Sequence, residues 1–195
     1  RFVPNDAIKL TGDHNRFNVV TAAAIAYCAS ARVDTCEQAI RKFEGLPHRV
    51  QVVGVIDDVT YVNDSKATNL GSCIAALEGV ITQPSSRKIV LIAGGVGKNA
   101  NFSVLGRTIS GRVRSVVLIG RDAKVIAKSI PEARVVFASS LEDAVVTARM
   151  EAVSGDVVLF SPACASYDMF ENFVVRGQAF TRIVQGMSTC PRITI

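Results

Sequence analysis

The chain is predicted to fold as an α/β protein: a doubly wound, mostly parallel Rossmann-like sheet with one antiparallel hairpin strand at its edge. Three observations predict it. From Lys88 onward, short aliphatic runs alternate with helix-like segments, the rhythm of right-handed crossovers between parallel strands. Those runs are continuously apolar, as strands covered on both faces are. Finally, Val50–Ile56 and Val59–Val62 flank Asp57-Asp58, an apolar–turn–apolar hairpin signal.

Taken in order, Phe2–Leu10 reads as the tail of a strand or a loop, and a helix begins near His14 or Asn15. Its apolar residues (Val19, Val20, Ala22–Ala24, Ile25, Ala26, Cys28) go nearly all round, so it should be well buried. Thr35 is placed to cap a second helix over Cys36–Phe43, which Gly45-Leu46-Pro47 stops. This helix pair is too small to fold alone. Residues 1–46 therefore read as the end of a domain begun upstream, and residues 47–195 as a second domain. Strands are expected at Ile89–Ala93, Ser115–Ile119, Ala133–Phe137 and Val157–Phe160. Helices are expected at Gly71–Val80, Phe102–Ser110, Ala123–Ser129, Leu141–Val153 and Met169–Gln185. Ser140 and Asp143 form a capping signature for the fourth of these. Beyond Gly186 the tail is expected to fray.

Composition narrows the function. The net charge of +5 is scattered, without a basic stripe or aromatic interleaving, which argues for small anionic ligands over nucleic acid. No apolar run approaches the ~18 residues that a membrane helix needs, and Arg1–Leu10 lacks a secretory core. Five cysteines without CxxC spacing read as reduced cytosolic thiols. With only His14 and His48, a histidine-based metal site within the chain is not expected. Beginning at Arg1 rather than Met, the chain is expected to be part of a longer product.

Three loops follow predicted strands and carry unusual residues. Asn63-Asp64-Ser65-Lys66-Ala67-Thr68-Asn69 packs a carboxylate, an ammonium, hydroxyls and amides together, a composition that a surface turn also tolerates. Gly94-Gly95-Val96-Gly97-Lys98 resembles a phosphate loop without being Walker A, since Ile92 holds the first glycine position and Asn99 follows the lysine. Its glycines still allow close backbone approach to an anion. Ser161–Phe173, SPACASYDMFENF, empties a strand into small and polar residues before a helix, leaving backbone N–H groups for a carboxylate or phosphate. At one edge of such a sheet the loops would face each other, supplying Lys66, Lys98, Thr68 and Ser166. Two cations with hydroxyls suit a small dicarboxylate or a phosphoryl-bearing substrate. Lys98 by itself would read as a solvated loop lysine. The G-x-S-x-G elbow and the G-x-G-x-x-G dinucleotide fingerprint are both absent.

GLPHR (45–49), NDSKATN (63–69), GGVGK (94–98) and SPACASYDMFENFVVRG (161–177), in this order, resemble the C-terminal part of the Mur ligase family of peptidoglycan synthesis. Within the family the likeness is greatest to the members that add D-glutamate to UDP-N-acetylmuramoyl-L-alanine. It runs from about Leu10 to Gly186, and the last motif is the most specific. GLPHR and the NDSKATN loop recur more loosely in the wider family, including folylpolyglutamate synthases.

The resemblance implies an ATP-dependent amide ligase working through an acyl phosphate, with Mg2+ ligands and the Walker A loop upstream. It implies a D-glutamate pocket at Thr68, Lys98, Ser166, Tyr167 and Phe173, where Lys98 and Thr68 hold one carboxylate and Ser166 with the Phe173 backbone the other. ATP contacts fall on Asn15 and Asn18 near adenine, and on His48, Arg49, Asp64 and Lys66 near ribose and phosphates. Lys98 and Lys66 are the catalytic candidates. The upstream domains would be partners, nucleic acid and membrane would not, and the enzyme is expected to be a bacterial cytoplasmic monomer. The GLPHR turn would serve as a hinge. Two departures stand out: Val96 replaces an acid, and Tyr167 stands where leucine is common. The open alternatives are another Mur ligase, a folylpolyglutamate synthase, or a nucleotide-binding α/β module of an oxidoreductase.

Overall fold

The computed structural model describes residues 5–10, 12–80 and 87–187. The expectations for Phe2–Pro4, for Cys190 and for the tail beyond Met187 fall outside these residues. Two compact units divide at Leu46/Pro47.

The first unit holds a short 3-10 turn at Asn5–Ala7 where a strand tail or loop was expected, then α1 (Asp13–Cys28) and α2 (Val33–Lys42). Two expectations need correcting. α2 starts at Val33, two residues before the anticipated Thr35 cap, because the helical ladder already opens with Cys36 N donating to Arg32 O. The Asp34 carboxylate accepts from Thr35 N (3.0 Å) and from the Arg32 guanidinium. Nor is α1 buried: Ala23 is covered, but Phe17 is 73% and Ile25 65% exposed. α2 buries none of its residues, so the unit offers too little apolar surface to cover a helix that is hydrophobic all round.

The second unit is built on a six-stranded sheet in the order β1-β2-β6-β3-β4-β5. β1 (Gln51–Ile56) and β2 (Val59–Asn63) form the antiparallel edge hairpin. Its turn residues Asp57 and Asp58 both have positive φ, 52° and 61°, the backbone that a two-residue hairpin turn requires. β2, β6 (Val157–Phe160), β3 (Ile89–Gly94), β4 (Val113–Ile119) and β5 (Val135–Phe137) run parallel. The Asp57-Asp58 hairpin and the aliphatic runs thus form as their patterns predict.

Helices cover both faces, which is why β3 is buried along its whole length. Ile89, Leu91 and Ala93 share a core with α3 (Leu70–Val80), α4 (Ser103–Ile109) and α5 (Ala123–Ser129). Val90 and Ile92 point into the other core, with α6 (Leu141–Glu151) and α7 (Phe173–Met187). There Phe160 stacks on Phe180 at 4.7 Å. Ser140 Oγ accepts from Asp143 N as the capping signature predicts, while the Asp143 carboxylate reaches one residue further back, to Ser139 N. α7 begins at Phe173 rather than Met169. The Asn172 side chain accepts from Val174 N and Val175 N, which sets the N-terminus four residues later than periodicity suggests.

Candidate functional site

In a parallel sheet every strand delivers its carboxyl end to the same edge, so the loops after β2, β3 and β6, adjacent strands in the order above, emerge side by side. The structure ties them together with hydrogen bonds between residues far apart in sequence. Val96 and Ala165 exchange both backbone bonds, each 2.9 Å, and Gly94 N donates to Pro162 O. Gly95 has φ 125°, and a Cβ there would lie 2.3 Å from Ala165 O. Only glycine admits this approach. Val96, the position without its expected acid, acts here through its backbone.

The loop after β2 joins the same assembly. Ser161 Oγ donates to Asp64 Oδ2 (2.7 Å), Val50 N donates to Asp64 Oδ1, and Ser65 Oγ donates to Phe173 O (2.8 Å). Burial dominates the Asp64 carboxyl and pushes its pKa up to about 6, against the pull of Ser161, Val50 and Arg49.

At the centre lies Arg176, 2% exposed and absent from the residues singled out by sequence. Its Nε donates to Ser65 Oγ (3.0 Å), Nη2 to Ser65 O (2.9 Å) and Nη1 to Cys164 O (3.1 Å). One guanidinium thereby clamps the first loop to the third, although burial lowers its pKa to about 10. Its fork of donors can span three acceptors where a lysine ammonium could not. The sequence signal was an arginine set directly before Gly177 in an otherwise apolar turn of a helix.

A second cluster lies where His48 meets α7. Asn63 Nδ2 donates to Gly177 O (2.8 Å) and lies 3.1 Å from His48 Nδ1. Burial lowers the His48 pKa, which favours a neutral ring accepting from that amide. Lys66 Nζ sits 4.0 Å over the Phe173 ring, whose edge faces His48 at 6.5 Å between centroids.

The sequence-derived residues distribute as follows. His48, Asp64 and Ser166 are buried, and Lys66, Thr68 and Phe173 are half-buried. Arg49, Lys98 and Tyr167 are exposed, Tyr167 at 73%. Asn15 and Asn18 are three residues apart on α1 of the first unit. The SPACASYDMFENF turn keeps fewer open N–H groups than expected. Ser161 N donates to Ile92 O, Ala165 N to Val96 O, and Met169 N and Phe170 N to Ser166 O. Asn69, expected only as a polar loop residue, caps a helix, and its side chain accepts from Ser72 N at the start of α3. Among the described residues no group of three or more His, Cys, Asp or Glu is placed to hold a metal ion. Cys28, Cys36, Cys73 and Cys164 are free thiols.

An open α/β domain with its polar loops interlocked beyond the carboxyl ends of parallel strands defines the class: a doubly wound domain, a fold whose ligands generally bind at that edge. The chain belongs to the Mur ligase family, whose glutamate ligase domain model matches residues 48–164. It is 50% identical over 182 residues to UDP-N-acetylmuramoylalanine–D-glutamate ligase of Saccharophagus degradans, covering 93% of this chain and 40% of that protein. To the enzyme of the same name from Marinobacter nauticus it is 44% identical over 184 residues, covering 92% and 40%. The chain thus spans about two fifths of the length of these relatives. Solved structures share the fold. UDP-N-acetylmuramate–alanine ligase of Thermotoga maritima matches with TM-score 0.66 at 15% identity, covering 92% of this chain and 39% of that one. Folylpolyglutamate synthase of Mycobacterium tuberculosis, complexed with ADP and AMPPCP, matches at 0.65 and 18%, covering 90% and 41%.

Proposed function

We propose that this chain is the C-terminal, amino-acid-binding part of a cytoplasmic bacterial ligase that joins D-glutamate to UDP-N-acetylmuramoyl-L-alanine at the expense of ATP. The observation that carries the reading is the 44–50% identity to D-glutamate ligases over more than nine tenths of the chain. Likeness to the folylpolyglutamate synthase rests on fold alone.

On this reading Lys98 and Thr68 hold one carboxylate of D-glutamate. Ser166 and the Phe173 backbone hold the other, with Tyr167 beside them in the pocket, so that the amine is presented to the activated carbonyl in one orientation. Cations at this edge stabilise the negative charge that develops on the reacting carbonyl oxygen. The chemistry supplied by bound ATP is phosphorylation of the alanine carboxylate. The exposed Arg49 guanidinium and the Lys66 ammonium fit nucleotide phosphates. Asn15 and Asn18 would meet adenine, and His48 with Asp64 would shape the ribose side from positions fixed by Asn63 and Ser161. On this reading the Mg2+ ligands belong to the upstream domains, together with the Walker A loop that the sequence lacks. The chain by itself should therefore be inactive.

The test is phosphate release by the full-length enzyme given ATP and UDP-N-acetylmuramoyl-L-alanine. Release should require D-glutamate and should not respond to L-glutamate with a folate. Turnover with a folate and L-glutamate instead would overturn the reading, and ligase turnover by the isolated chain would overturn its partial role.

A further inference from the structure

Lys98 occupies a backbone conformation that lysine disfavours. Ala100 N donates to Gly97 O (3.0 Å), and the two residues between, Lys98 and Asn99, have φ of 52° and 58°. Asparagine tolerates such a left-handed turn and lysine does not favour it. Something outside the loop must hold it there.

The β3 side of the loop is pinned by the bonds to Pro162 and Ala165. The turn itself is held by Asp122, which belongs to none of the three loops and lies at the start of α5. Asp122 Oδ2 accepts from Gly97 N at 2.7 Å, and Asp122 N donates to Gly95 O at 3.0 Å. One residue thus grips the backbone on both sides of Val96. An aspartate at a helix N-cap ordinarily turns its carboxylate onto the first turn of its own helix. Here Asp122 makes no side-chain cap bond, and the carboxylate reaches across to Gly97 instead. Arg121 flanks it, Nε 3.3 Å from Oδ1 and Nη2 3.3 Å from Oδ2.

The turn that presents Asp122 is fixed from the other side. Asp168, in the SPACASYDMFENF loop, accepts from Arg121 N through Oδ2 at 2.8 Å. Gly120 leaves the room this needs, since a Cβ there would lie 2.4 Å from that same Oδ2 and 2.9 Å from Gly95 Cα. The Gly120-Arg121-Asp122 turn is therefore a bracket between the two loops assigned to the carboxylates of the amino acid.

We propose that Asp122 is a positioning residue of the amino-acid site: it sets the left-handed turn that presents Lys98, and Asp168, through the Arg121 backbone, keeps that turn in register with the third loop. This rests on the reading that Lys98 meets a D-glutamate carboxylate. It adds a residue that would touch no substrate and would act through the backbone of another.

The test is steady-state kinetics of the full-length enzyme with each substrate varied. Asp122→Ala should raise KM for D-glutamate about 5- to 20-fold, the loss of part of one charge-assisted hydrogen bond. KM for ATP and for the nucleotide substrate should stay within about twofold. Asp122→Asn, whose side-chain oxygen still accepts from Gly97 N, should recover D-glutamate KM to within about threefold of wild type. In a Lys98→Ala background, Asp122→Ala should add nothing, because its effect passes through Lys98. Thermal melting of both Asp122 variants guards against unfolding, and Asp122→Asn serves where Asp122→Ala fails to fold. If Lys98→Ala raises D-glutamate KM and Asp122→Ala does not, the bracket is refuted while the site reading stands. An undiminished Asp122→Ala penalty in the Lys98→Ala background also refutes it. If Lys98→Ala itself leaves D-glutamate KM unchanged, the site reading falls and this proposal with it.

Discussion

Asp64→Asn should stabilise the protein at neutral pH, although it alters a residue central to the site. Asp64 is 6% exposed, and its carboxyl is raised from the ordinary 3.8 to about 6, first by burial. A carboxyl whose pKa is higher folded than unfolded contributes stability below the unfolded value and loses it as pH rises through the folded value. The window is therefore pH 4 to 6. At ~1.4 kcal/mol per pH unit, lifting the carboxyl from 3.8 to about 6 means about 3 kcal/mol given up by pH 7. Asparagine is neutral throughout that window. Its Oδ1 can accept from Val50 N and its amide can donate to Ser161 Oγ, with the Ser161 hydroxyl turned over, a rearrangement costing about 1 kcal/mol. Asp64→Asn should therefore be about 2 kcal/mol more stable than wild type at pH 7 and no more stable at pH 4. Urea denaturation of the chain at half-unit steps from pH 4 to 7.5 measures both. The difference between the proteins isolates Asp64 from carboxyls lowered in the fold, such as Glu151 beside Arg134, whose effect on stability has the opposite sign. Parallel curves, or a variant less stable at pH 7, would refute the argument and show Asp64 ionised and fully compensated in the fold.

Three further outcomes follow. Arg176→Met should destabilise the chain by about 2–4 kcal/mol in the same denaturation assay: Ser65 O and Cys164 O would lose a charged donor, and relief of the buried charge recovers only part. Arg176→Lys, which cannot span three acceptors, should fall between. Gly177→Ala would put a Cβ 2.3 Å from His48 Nδ1 and should cost about 1–3 kcal/mol by overpacking, with a displaced His48 imidazole resonance in NMR spectra; an unmoved resonance would show that the close approach is not rigid. In the full-length enzyme Lys98→Ala should raise KM for D-glutamate by an amount equivalent to roughly 1.5–3 kcal/mol, and an unchanged dependence on D-glutamate would count against the carboxylate role.

Much of the fold was legible because its signals are local. Continuously apolar runs mark strands covered on both faces, a 3.6-residue period marks helices, and the Asp57-Asp58 turn needs only its own backbone. The misses are of two kinds, two local side-chain caps that periodicity does not register and one burial that depends on packing. The α7 start depends on one side chain, Asn172, returning to the backbone two and three residues on. The burial expected for α1 assumed a core that the first unit does not supply. Asn69 was read for its polarity, whereas its geometry makes it a helix cap.

The site divides the same way. Which residue types gather at the sheet edge is written in the four motifs, and the family follows from them. The contacts that shape the site are not local. Ser65 and Arg176 are separated by 111 residues and Ser161 and Asp64 by 97, and no pattern within either segment announces the other. By itself the sequence determined an α/β sheet, its edge hairpin and three polar loops at strand ends, since these follow from short-range periodicity and turn chemistry. Tertiary structure alone decided that Arg176 clamps two of those loops, that burial raises the Asp64 pKa, and that Asp122 reaches across to Gly97. Each depends on strand order and on burial, and burial, which sets whether a charge is stable, exists only once the chain has packed.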